Sequence, residues 1–185
     1  EESIEKYEGS LNEYCQISLK YGKTFENELS ELYINIGNIY NDADFPKEAL
    51  KYQLQAYEIL TNQNLSKYNR AVLCINITSS FLNHKIFDLK KAKQFIIEAI
   101  KLLNELSEKR PIVALQELSI ALMKYADILS IEGKLTESEE NYFKALKYAE
   151  QLSKVNKFQY RHILEGIYNN LSVFYFIIIV YCYNI

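Results

Sequence analysis

The sequence predicts an all-α fold in which antiparallel helix pairs stack into a solenoid, a superhelix filling residues 1–185 as a single domain. Three observations carry this. Only 5 Gly and 2 Pro occur in 185 residues, too few for the turns of a sandwich or barrel. Apolar residues make up 49% of the chain and recur at helical spacing in one segment after another. The breaks between those segments are short, so successive helices are antiparallel neighbours.

Eight helices are expected, near 2–20, 25–42, 46–61, 67–83, 89–107, 111–131, 137–154 and 158–181. Ile4, Tyr7, Leu11 and Tyr14 form the stripe of the first, a second helix without its partner (half-repeat 1–22). The first full repeat, 24–62, carries Leu32, Tyr33, Ile36, Ile39 and Tyr40, then Ala49, Leu50, Tyr52, Ala56, Tyr57 and Leu60. Asp44-Phe45-Pro46 separates the two stripes, with Pro suited to a helical first turn. The second repeat, 66–108, runs from Ala71 to Ile77, turns at His84 to Asp88, and continues through Ala92, Phe95, Ile96, Ala99, Ile100 and Leu103. Ala71 is expected to be exposed at its helix start.

The third repeat, 111–154, places Leu122, Tyr125, Ala126 and Leu129 on one helix. Tyr142, Ala145, Leu146, Ala149 and Leu152 follow on the next. Gly133 is placed to end the first in a left-handed cap, and Thr136 with Glu139 reads as a capping box for the second. A last half-repeat, 157–185, holds the stripe Ile167, Tyr168, Leu171 and Tyr175.

Small residues set the register. Ser10 to Gly37, Ala99 to Ala126 and Ala145 to Ser172 are each 27 residues apart. A small side chain is required where two helix backbones cross closely, so the recurrence predicts equivalent crossings.

Composition excludes several function classes. The net charge of −3 offers no nucleic-acid footprint and no basic membrane surface. Cys15, Cys74 and Cys182 lie far apart in apolar segments, which reads as buried thiols in a reducing, cytoplasmic setting. No phosphate loop, nucleophile elbow or His-Glu-x-x-His zinc motif occurs, and His84 and His162 are isolated and expected at the surface. No enzyme, metal or cofactor is expected. Glu137-Ser138-Glu139-Glu140 suits a helix start through the macrodipole. Leu171 to Tyr183 is apolar but only about a dozen residues against roughly 20 for a spanning helix, so no membrane partner is expected. The chain opens Glu-Glu-Ser and is expected to be a piece of a longer protein. Lys outnumbers Arg, and Asn, Ile and Tyr are abundant, as an AT-rich genome writes them.

On the residues Gly37, Tyr40, Ala49 and Ala56, then Ala92, Ile96 and Ala99, then Ala126, Leu129, Ser138, Tyr142 and Ala145, the chain resembles the tetratricopeptide repeat family. Gln53 stands where that pattern has an aromatic. The repeats are longer than the family's usual length of about 34 residues, and in this they resemble kinesin light chain and the Leu-Gly-Asn-repeat polarity adaptors. The resemblance implies a right-handed superhelix whose first helices line a concave groove, and a noncatalytic scaffold that binds an extended peptide of a partner protein there.

Groove-facing positions implied by the resemblance are Ile34, Asn35, Asn38 and Asn41 in the first repeat. Aligning Thr78 with Gly37 gives Ile75, Asn76, Ser79 and Leu82 in the second. Met123, Lys124, Asp127 and Ser130 follow in the third, and Asn169, Asn170, Val173 and Phe176 in the last. Asn35, Asn76 and Asn170 share one position, where an amide can pair with a peptide backbone; Ile34, Ile75 and Met123 share another, suited to apolar side chains. The two-carboxylate clamp of chaperone-tail binders is not assembled, because Ile34, Ile120 and Lys124 occupy its cationic places. A peptide-sensing regulatory receptor of the same type, or a structural and oligomerisation segment, is the alternative. Uncovered terminal repeats would then self-associate.

Overall fold

The computed structural model describes residues 26–62, 66–109 and 111–183, with Lys6, Gly9, Glu13 and Gln16. Among the described residues the chain is all-helical, with no strand. The stripe Ile4, Tyr7, Leu11 and Tyr14 lies outside them, as do Ser10 and Cys15. Seven helices are described: α1 (Glu26–Asp42), α2 (Pro46–Asn62), α3 (Lys67–Leu82), α4 (Leu89–Ser107), α5 (Pro111–Ile131), α6 (Leu135–Val155) and α7 (Lys157–Tyr183). Each lies within two residues of its expected place. The chain divides into two compact units, Glu1–Phe95 and Ile96–Ile185.

In the first unit, α1 and α2 pack as a hairpin and α3 packs on α2. The α1–α2 turn is a left-handed helix end: Asp44 has φ +62°, Phe45 N–H donates to the Tyr40 carbonyl and Asp44 N–H to that of Asn41. Pro46 then opens α2, as its fixed φ predicts. Gly37 is the close crossing of this pair. A Cβ there would stand 2.9 Å from Gln53 Cγ and 3.2 Å from the Ala49 carbonyl oxygen. Thr78 takes the same place in α3, its hydroxyl bonding the Cys74 carbonyl at 2.8 Å and reaching the Ala92 carbonyl of α4 at 3.4 Å. Ala56, Leu60, Leu73, Cys74 and Ile77 form the core between them. Tyr40 and Tyr52 stack at 5.5 Å, and Phe95 stacks on Phe81. Asp88 caps α4 by accepting from Lys91 N–H at 3.0 Å.

Ala71 is fully buried in this core, contrary to its expected exposure. Ser66 is the N-cap, accepting from Asn69 N–H, so α3 begins at Lys67 and Ala71 stands a full turn inside. That turn already faces the neighbouring helix.

The second unit repeats the design. The α5–α6 turn is a second left-handed end, with Gly133 at φ +75°, Lys134 N–H donating to the Leu129 carbonyl and Gly133 N–H to that of Ser130. Ala126 is its crossing residue, and its carbonyl accepts from Ser138 Oγ at 2.8 Å. Ala145, Ala149 and Leu152 of α6 face Tyr160, Ile163, Ile167, Leu171 and Phe174 of α7. A single residue, Asn156, joins α6 to α7, and its side chain accepts from Gln159 N–H as the cap of α7.

Two local expectations are corrected here. The Thr136–Glu139 capping box does not form: α6 starts earlier, at Leu135, with Lys134 at the cap and no side-chain cap bond. The tight turn leaves no spare residue, and Ser138 turns inward to the crossing while Glu139 accepts from Tyr175. The buried stripe of α7 is Tyr160, Ile163, Ile167, Leu171 and Phe174, and Tyr168 and Tyr175 lie outside it. Tyr175 instead reaches sideways to bond Glu139 of α6, while Tyr168 is half exposed.

Candidate functional site

Two polar clusters bridge first helices, one in each unit. In the first unit, Asn38 of α1 and Asn76 of α3 meet side chain to side chain, with Asn76 Nδ2 donating to Asn38 Oδ1 at 3.2 Å. One turn on, Asn41 Nδ2 donates to Ser80 Oγ at 3.3 Å, and Ser80 Oγ donates to Gln53 Oε1 at 2.8 Å. Gln53 is fully buried, and its Nε2 has no hydrogen-bond partner. The residue that departs from the repeat pattern is therefore an inward amide whose NH2 group is unmet.

In the second unit, Asp127 of α5 takes the position of Asn38, and Asn170 of α7 that of Asn76. Asn170 Nδ2 donates to both Asp127 carboxylate oxygens, at 3.2 and 3.1 Å. The Tyr142 hydroxyl of α6 donates to the same carboxylate. Burial holds the Asp127 carboxyl above its ordinary pKa, against the opposing Tyr142 bond, the Lys124 charge and the Asn170 bond. Burial likewise lowers Lys124, which Asp127 partly counters, and raises the Tyr142 hydroxyl. Beside this carboxylate opens a cavity of about 250 Å³, walled by Ser130, Ile131, Val173, Phe174 and Ile177 with Tyr142 and Asn170.

The other expected groove residues fall into three kinds. Asn35 and Asn169 are exposed. Ile34, Met123 and Lys124 are half-buried, Met123 packing against the core of its unit. Ile75 retains only 4% exposure, and Ser79 donates to the carbonyl of Ile75 in its own helix. Tyr142, Ser80 and Gln53 are the polar participants that sequence reasoning placed in the core or passed over. Their signal was a hydroxyl or amide on an otherwise apolar stripe.

His84 and His162 are exposed, and Cys74 is buried and in no disulfide. Among the described residues no three His, Cys, Asp or Glu side chains are grouped to hold a metal. One helix, α7, is long and apolar enough to cross a membrane by length and composition. It is a continuous helix of 27 residues, longer than its apolar tail alone suggested.

Antiparallel helix pairs, close crossings at small residues and a polar bond between successive first helices define the class: an all-α helical-pair protein. No protein-family model matches the chain, and no curated protein matches it in sequence.

Proposed function

We propose that this chain is a noncatalytic protein–protein interaction scaffold of tetratricopeptide type. Its helix pairs would stack into a right-handed superhelix and hold an extended peptide of a partner protein along the first helices. One observation supports this most: the same crossing occurs between Gly37 and Ala49, Thr78 and Ala92, and Ala126 and Ser138. Equivalent crossings give each pair the same presentation of its first helix, and a repeated surface is what an extended segment can bind. Asn35 and Asn169 are then the free amides for the peptide backbone, while Asn38, Asn76 and Asn170 hold neighbouring first helices in register.

The test is site-specific photo-crosslinking in an extract of the source cells. A photoreactive residue at Asn35 or Asn169 should capture one partner, competed by a peptide of that partner. The same residue at Lys51 or Lys144, exposed on second helices, should not. Equal adducts on both faces would contradict the reading.

A second reading, a structural or self-associating segment, is favoured by the exposed apolar residues of α7. Val173, Phe176, Ile179 and Val180 are exposed, Phe176 by 66%.

A further inference from the structure

We propose that the cavity beside Asp127 is a subsite for a primary ammonium on an aliphatic stem, the chemistry of a lysine side chain. The source of that group, a partner's peptide, rests on the function proposed above; the pocket itself stands on the second unit alone.

The polar side of the cavity is the Asp127 carboxylate, held by two neutral donors, the Tyr142 hydroxyl and the Asn170 amide. Neutral donors orient the carboxylate without cancelling its charge, and the three bonds it receives leave about one acceptor site, on Oδ2. Lys124, one turn earlier on α5, supplies only an electrostatic contribution, and it too is disfavoured as a charge by burial. A second cation can therefore take the acceptor site that these three bonds leave open on the carboxylate. The Tyr142 and Phe174 rings, 5.4 Å apart, border the same cavity and keep water from its inner side.

The remaining walls are Ile131, Val173 and Ile177, which suit a methylene stem leading to a charged head. An ammonium fits better than a guanidinium. Asn170 already spans both carboxylate oxygens, so the paired fork that arginine prefers is taken. A single-point donor still has a place.

The probe is n-butylammonium, the lysine side chain without its backbone, added to the full chain and followed by NMR. Saturable shifts are expected at the Asn170 side-chain amide, with affinity at least about tenfold above that of n-butanol. Methylammonium, lacking the stem, should bind more weakly than n-butylammonium. Asp127→Asn should remove the preference for ammonium over alcohol. Where that variant fails to fold, the ammonium-to-alcohol ratio on the parent decides alone. Equal response to both probes, or no response at Asn170 up to about 100 mM, overturns the subsite. Either result leaves the crosslinking at Asn35 untouched, so failure of the pocket and failure of the scaffold are read separately.

Discussion

Asn76 donates its side-chain amide to Asn38 at 3.2 Å, and Asn170 makes the corresponding bond to Asp127 in the other unit. Each bond joins the residue after the crossing position of one first helix to the residue two before it in the next. Two amides in one unit become an amide and a carboxylate in the other. The first pair is neutral, whereas the second places a charge beside a cavity.

That charge sets a pH dependence. Burial raises the Asp127 pKa in the folded state, so the folded protein binds this proton more tightly than the unfolded chain. The contribution is most favourable at low pH and is lost as pH rises from the ordinary carboxylate value through the folded one. Burial also lowers Lys124 and raises the Tyr142 hydroxyl, and Asp127→Asn leaves both groups in place. Asp127→Asn should therefore gain on the parent as pH rises from about 4 to 8 in urea melts. A gap that widens in the opposite direction would contradict the burial assigned to this carboxyl.

The crossings carry stability. Ala126→Leu should cost roughly 1–3 kcal/mol by overpacking against α6. Gly37→Ala should also be destabilising, because its Cβ would press on the Ala49 carbonyl, which cannot rotate away. Ala71→Leu, on a fully buried site, should behave like Ala126→Leu. Thermal melts of all three against the parent are the check; unchanged melting at Ala126 would remove the close crossing.

Gln53 is a place where stability has been left unclaimed. Its Nε2 is buried without a partner, and Ser80 keeps Asn41 as an alternative acceptor at 3.4 Å. Gln53→Met, nearly isosteric, should stabilise the protein by about 1 kcal/mol. A loss of similar size would mean that the Ser80 bond outweighs the unmet donor.

Exposed apolar residues on α7 predict association. Val173, Phe176, Ile177, Ile179 and Val180 lie outside the core of their unit. Sedimentation should show self-association that rises with concentration, and Phe176→Glu with Ile179→Lys should reduce it. A parent that stays monomeric at high concentration contradicts this.

Helix positions and crossings were legible in the sequence because periodicity, Gly and Pro report local backbone needs. Gly133 and Pro46 take the roles their conformations demand. The Asn38–Asn76 and Asp127–Asn170 bonds were not legible. Their separations differ between units, and an Asn on a helix face looks the same whether it meets a ligand or a neighbour. Ser138 stands at the small position the resemblance implies, and its hydroxyl bonds the Ala126 carbonyl there. The α7 stripe differs from its expected register because the helix is apolar on nearly every side from Leu171 onward, so more than one stripe fits the period.

The central claim is that an extended peptide lies on the first helices, held by free amides. Asn35 and Asn169 are exposed, so removing them spares the Asn76–Asn38 and Asn170–Asp127 bonds. The direct measurement is calorimetric titration of the peptide recovered by crosslinking against the parent and the Asn35→Ala, Asn169→Ala double variant. Two lost amide pairs at about 0.5–1.5 kcal/mol each predict affinity about tenfold weaker or more, with the melting temperature unchanged. Equal affinity for the two proteins would place the peptide elsewhere and contradict the scaffold mechanism.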